Sequence, residues 1–287
     1  MPKQYPHLSE VIYTPESHLR HPIQLMQAMG RDLLASRELA WRLLVRDIKA
    51  QYRQSFLGIV WAFVPPIATA IGLTLANNAK IINIGATDLP YPAYVMFSMT
   101  LWQTFTEALT APMQAVASAR PMLARINFPR EAIILSQLGQ VFFNFGIKLI
   151  LIVGLFLFYR IPVTWSVCLA PVALLHLIVL GTALGLLLAP ISALYDDIAK
   201  GLSLVMGLWL ILTPVIYPVP QKGIFATLVQ LNPVTPLLVT TRELATTGFV
   251  SHPVGFWSVS LIAILGLFVG WLVYRVAMPF VIERMSA

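Results

Sequence analysis

Apolar residues gather in long runs, separated by short polar, basic or proline-bearing pieces. Runs over about 56–76, 93–115, 132–158, 166–190, 201–217 and 256–274 are free or nearly free of charge. About 20 such residues in a helix cross the ~30 Å hydrocarbon core of a bilayer. Backbone polar groups in lipid must pair within the spanning element, which leaves helices or closed barrels. Barrel strands alternate apolar and polar over about ten residues. These runs are apolar on all sides and longer, so the expected fold is an all-α integral membrane protein with six transmembrane helices. Pro65 and Pro66 are expected to kink the first span.

The pieces between the runs add detail. Residues 1–35, with Pro2, Pro6, Pro15 and Pro22, read as a cytoplasmic N-terminal arm with a short apolar helix from about Ile23. Ser36 is a candidate N-cap for the next helix. Over 36–55, Trp41, Leu44, Ile48 and Tyr52 recur at helical spacing, and Arg42, Arg46, Lys49 and Arg53 recur on another face. That pattern predicts an amphipathic helix at the membrane interface. Residues 56–287 then form the membrane domain. The charge-free stretch 223–241 holds Asn232, Pro233 and Pro236 at its middle. Read as a seventh span, it would put the two termini on opposite sides.

Charge decides against that. With six spans and an inner N-terminus, fourteen Lys and Arg lie inside, four lie outside, and Lys148 lies within a span. Basic residues concentrate on the cytoplasmic side. Both termini are therefore expected to be cytoplasmic, and 218–247 to be a pair of short re-entrant or interfacial helices on the outer side. The chain is 58% apolar and 11% charged, with net charge +7; mean hydropathy is +0.78. Soluble domains carry about 25% charged residues. Membrane orientation accounts for the basic balance, and no nucleic-acid partner is expected. The first apolar run starts near Phe56, too late for a secretory signal peptide.

Catalytic and metal chemistry finds little support. The five histidines show no ligand spacing, and no G-x-S-x-G elbow occurs. None of the six lysines sits in a G-K-[ST] context, so no Walker A is present. Cys168 has no partner for an intrachain disulfide. Glu107 and Lys148 lie inside spans, where a charge is costly. They are candidates for a substrate or ion contact, and equally for an inward-facing structural role. Helix rise places Glu107 about 13 Å and Lys148 about 24 Å from the inner ends of their spans, so their depths do not establish a pair. Gly181-x-x-x-Gly185 and Gly266-x-x-x-Gly270 suit close helix packing within the subunit. The loop 118–131 is short and basic and carries Met122, Leu123, Ile126 and Phe128, expected to be exposed, around Arg125. Such a loop suits a small helix docking into a partner's groove. Tyr52, Phe56 and Phe63 share one face of a continuous helix. Aromatic faces suit the C–H faces of sugars, although helix packing explains such a row equally simply.

Five sequence features then combine. Arg46-Asp47-Ile48-Lys49-Ala50-Gln51-Tyr52-Arg53-Gln54-Ser55-Phe56-Leu57-Gly58, followed by Trp61 and Pro65, is the first. The others are Leu89-Pro90-Tyr91-Pro92 with Trp102, Asn127-Phe128-Pro129-Arg130-Glu131, Leu212-Thr213-Pro214-Val215-Ile216-Tyr217-Pro218, and Leu231-Asn232-Pro233. In this order and topology they resemble the membrane-spanning permease subunits of polysaccharide-export ABC transporters, which serve O-antigen, capsule and teichoic acid export. The likeness covers about residues 30–280. Tyr195-Asp196-Asp197 departs from the Tyr-Arg-Asp common in that family, which removes any inner contact made by the arginine.

The resemblance implies a homodimer in the bacterial inner membrane with two copies of a separate ABC ATPase subunit. ATP and magnesium would bind that partner, leaving this chain without a cofactor or enzymatic activity. It also implies that the 118–129 loop couples to the ATPase and that 218–247 forms an outer gate. A lipid-linked polysaccharide would pass along the first and fifth spans, which adds Trp209 and Tyr217 to the path. Three other readings stand beside this one: a drug or small-lipid efflux permease, a membrane enzyme of lipid-linked sugar chemistry, and a non-transporting scaffold.

Overall fold

The computed structural model describes residues 22–53, 58–81, 84–123 and 128–286, and every described regular element is helical. Helix α1 is Pro22–Arg53. A 3-10 turn at Gly58–Ala62 leads into α2, Val64–Asn78. Then come α3, Tyr91–Leu123; α4, Glu131–Phe158; a 3-10 turn at Trp165–Leu169; and α5, Ala170–Leu194. The chain continues through α6, Asp197–Leu212; α7, Ile224–Leu231; α8, Val234–Ala245; and α9, Pro253–Ser286.

The N-terminal boundary differs from expectation. One helix runs unbroken across the expected division between 35 and 36. Ser36 is buried in its interior and donates its hydroxyl to the Asp32 carbonyl at 2.6 Å. A serine hydroxyl satisfied four residues back does not start a helix. The face that packs inward carries Met29, Ser36, Ala40 and Leu43, whereas Trp41 is 65% exposed. Trp41 thus suits a membrane interface, with the inward face turned by about one residue from the expected row.

Three helical stretches are long and apolar enough to cross a membrane: Glu131–Phe158, Trp165–Leu194 and Pro253–Arg284. The α7–α8 pair joins them as a fourth if a helix bent by 80° is taken as one span. Helices α2 and α6, with 15 and 16 residues, are short by this measure. Helix α3 has 33 residues and ample length, but is less apolar. Pro65 and Pro66 sit in the first turn of α2, where no intrahelical donor is lost. The expected kink is therefore a change from 3-10 to α-helix.

The core is a stack in which α5 lies between α3 and α9. Its glycines set the spacing. A Cβ on Gly185 would lie 2.2 Å from the Leu109 carbonyl oxygen, and one on Gly181 would lie 2.8 Å from that of Phe105. A Cβ on Gly270 would meet Ala183 O at 2.9 Å. These small-residue motifs serve packing within one chain, as expected. Helix α8 is also buried in this core through Leu237 and Leu238, while α7 leaves Ile224 and Leu231 exposed.

Candidate functional site

At the end of the bundle that holds the α7–α8 bend, Asn232 joins three pieces of chain. It is 4% exposed. Its Oδ1 accepts from Trp209 Nε1 at 2.9 Å and from the Val234 amide at 3.0 Å. Its Nδ2 donates to Thr213 Oγ1 at 2.8 Å and to the Leu212 carbonyl at 3.2 Å. A buried amide with both ends satisfied fixes geometry, because each unmade bond would leave a dry polar atom. Pro233 and Pro236 follow at the start of α8, half-buried, where the missing proline N–H groups cost little.

Sequence reasoning missed the neighbour of this joint. Arg242 on α8 is 5% exposed. Its Nη1 donates to Ser98 Oγ at 2.9 Å and to Pro214 O at 3.3 Å, and its guanidinium lies 4.2 Å from the Tyr94 ring centroid. Among the described residues it makes no ion pair. Tyr94 donates its hydroxyl to the Tyr217 carbonyl at 2.8 Å, and Tyr91 donates to that of Ile216 at 3.1 Å. The irregular 213–217 segment therefore has several carbonyls satisfied by side chains of α3 and α8. An arginine directly after the charge-free stretch 223–241, with Glu243 beside it, was the available signal.

Further down the bundle, Lys148 Nζ bonds Glu107 Oε1, and Asn144 Nδ2 donates to Glu107 Oε2 at 3.2 Å. Lys148 is 3% exposed, and the Glu107 side chain is 32% exposed. The structure thus makes a pair that the depth count did not support. The count stopped α3 at the end of its charge-free run, near 115, but the helix continues to Leu123. Glu107 is then about 24 Å from that end and Lys148 about 25 Å from the start of α4.

The opposite end carries the polar links between helices. Arg275 on α9 donates to Glu131 Oε1 at 2.7 Å and also bonds Asp32 of α1. Arg120 donates to the Ala193 carbonyl at 2.9 Å and pairs with Asp196 at 3.2 Å. Asp196, where the family commonly has arginine, thereby gains a partner. The loop expected over 118–131 begins as the last turn of α3. Leu123 is buried there, which corrects its expected exposure. Met122 and Phe128 are half-buried and pack on the same apolar cluster. Arg125 and Ile126 lie outside the described residues. A cavity of about 50 Å³ opens beside this turn, lined by Arg46, Asp47, Ser118, Ser136 and Gln137 with apolar neighbours.

Phe56 lies outside the described residues, as does the side chain of Tyr52. Phe63 is half-buried. Trp209 is half-buried, with its ring packed on Trp102 and Phe105 at centroid distances of 6.4 and 5.5 Å. Its N–H is spent on Asn232, so this ring packs and positions. Tyr217 packs its ring against Phe225, tilted by 45° at a centroid distance of 5.6 Å, and donates to the Ile211 carbonyl at 2.7 Å. Among the described residues no cluster of three His, Cys, Asp or Glu could hold a metal.

Comparison with known proteins gives this arrangement a context. The profile of the ABC-2 type transporter family matches residues 38–246. The chain is 28% identical over 220 residues to the O-antigen export system permease protein RfbA of Myxococcus xanthus, covering 74% of this chain and 82% of that one. It is 21% identical over 215 residues to a protein of the same name from Klebsiella pneumoniae, covering 72% and 80%. It is 19% identical over 246 residues to the polysialic acid transport protein KpsM of Escherichia coli, covering 81% and 91%.

Proposed function

Since this chain belongs to the ABC-2 type transporter family, we propose that it is the permease subunit of an ATP-driven exporter carrying a lipid-linked, O-antigen-like polysaccharide across the bacterial inner membrane. The observation that carries this is the family match across most of the chain, joined to the polysaccharide-export names of its relatives. Two copies of this chain pair with two ABC ATPase subunits, which hold ATP and magnesium. The half-buried Met122 and Phe128, with Arg125 and Ile126, form the surface that meets the ATPase. Asn232, Pro233 and Pro236 form the joint of an outer gate. Tyr52, Phe56, Phe63, Trp209 and Tyr217 follow the sugar path, Trp209 as a support behind it.

Six crossings fit this reading. They are the 3-10 turn with α2, then α3, α4, α5, α6 and α9, while the sharp bend returns α7–α8 to its own side. Both termini then face the cytoplasm. Single cysteines at Ser9, Gln221 and Ser286 in a Cys168→Ser background test this with an impermeant thiol reagent. In intact spheroplasts the Gln221→Cys protein alone should label. Labelling of Ser286→Cys would require an odd number of crossings.

Function is tested in cells lacking this chain. The polysaccharide should accumulate inside, and an affinity-tagged chain should retain an ABC ATPase on purification. Normal surface polymer with altered drug resistance would support the efflux reading instead, and lost polymer synthesis would support the enzyme reading.

A further inference from the structure

Helix α3 has an open face unlike that of a lipid-facing helix. Between Leu101 and Ser118 its residues that are not buried are Gln103, Thr106, Glu107, Thr110, Gln114, Ala117 and Ser118. Except for Ala117, all are polar. Helix α9, by contrast, exposes Leu261, Ile262, Leu265 and Phe268. Positions 103, 106, 107, 110, 114 and 118 form one helical stripe, about 22 Å long. Helix α4 presents Gln137 and Asn144 to the same seam, and Asn144 reaches Glu107.

An open stripe of amides and hydroxyls at membrane depth faces water or a polar partner, because hydrocarbon satisfies none of its groups. Its lower end meets the cavity, to which Ser118 and Gln137 contribute. That cavity has room for about three waters by its volume, and Ser136 Oγ, which is buried, has no protein partner. Above Gln103 the helix is closed, since every residue from Ala93 to Trp102 is buried. The stripe is therefore open at its Ser118 end and closed at its Gln103 end.

Its chemistry narrows the occupant. The charges of Glu107 and Lys148 cancel within the pair, so the stripe selects neither an anion nor a cation. Thr106 and Thr110 spend their protons on the carbonyls of Trp102 and Thr106, at 3.0 Å each. Their oxygens remain as acceptors beside the Gln103 and Gln114 amides, which have no partner among the described residues. Acceptors in a row suit a ligand rich in hydroxyl donors. Resting on the transport reading above, we propose that the polar face of α3, with Gln137 and Asn144 of α4, is a water-filled vestibule that receives the hydroxyls of the sugar chain.

The test uses the whole transporter with its ATPase, in inverted membrane vesicles. Thr110→Cys and Ile150→Cys are placed separately in a Cys168→Ser background and exposed to a charged thiol reagent. Thr110→Cys should label, and Ile150→Cys, on an exposed apolar face of α4, should not. Adding the purified polysaccharide should slow labelling of Thr110→Cys by about fivefold, the worth of one hydrogen bond. An unlabelled Thr110→Cys would overturn the wet vestibule. Labelling unaffected by polymer would overturn the sugar assignment. Oxidative cross-linking of two copies through Thr110→Cys would show that a second copy covers the stripe, and would overturn the proposal. Wild-type complex that exports no polysaccharide would overturn the transport reading, and the sugar assignment with it.

Discussion

Replacing Lys148 by methionine should lower stability by about 3 kcal/mol, because the change leaves the partly buried Glu107 carboxylate without its counter-charge. That figure sits at the low end of the usual range, since Glu107 is partly open and can take up water. The thermal midpoint of the purified complex in detergent should fall by about 6–10 °C, given the shift expected per kcal/mol for a chain of this size. Glu107→Gln alone should do at least as much damage, because it leaves the more deeply buried ammonium without its counter-charge. The double variant, Glu107→Gln with Lys148→Met, should recover most of the loss, since two neutral side chains of similar size remove both desolvation penalties. A Lys148→Met protein that melts with the wild type would show that the pair contributes nothing.

Asn232→Ala should be comparably severe for a different reason. Four hydrogen bonds disappear at a residue almost closed to solvent, leaving the Trp209 indole N–H, the Val234 amide, the Leu212 carbonyl and the Thr213 hydroxyl short of a partner. At about 1 kcal/mol net for each bond, the loss is about 3–4 kcal/mol. The damage should be local at first. Hydrogen exchange should quicken in the amides of 209–217 and 232–236 while those of α5 keep their protection. Trp209→Phe removes one bond of the four and should cost about a quarter as much. Uniform loss of protection throughout the bundle would mean that Asn232 supports the whole fold instead of one joint.

Some of this was readable without coordinates, and the reasons differ by element. Helices α4 and α5 begin and end within a few residues of their apolar runs, and α9 begins so although it continues to Ser286, because a sequence apolar on every face has nowhere to sit except lipid or a dry core. Helix α3 was harder, since its backbone hydrogen bonds continue past the point where its charge-free run stops. The missing eight residues were enough to separate Glu107 from Lys148 in depth. Ser36 looked like a cap because serine bonds backbone on either side of a helix start, and the sequence does not say which carbonyl or amide it chooses. Arg242 and Ser98 are 144 positions apart, and no local spacing carries a contact of that range. The pairing of Arg275 with Glu131, also 144 positions apart, was hidden for the same reason. Trp209 entered the path only through the family resemblance, and its indole N–H bond to Asn232 joins residues 23 positions apart, which no local spacing carries.

The glycine contacts of α5 have a mechanical consequence. With Leu109 O only 2.2 Å from where a Gly185 side chain would begin, and Ala183 O 2.9 Å from that of Gly270, neighbouring backbones are locked ridge to groove. Helices seated so closely cannot shear past one another without lifting apart. Helices α3, α5 and α9 must then travel as a rigid slab during any transport stroke. On the transport reading proposed above, the dilation a polymer needs is expected from α2 and α6, whose outward rows of Ile71, Leu75, Leu204 and Leu208 are left unengaged by that slab.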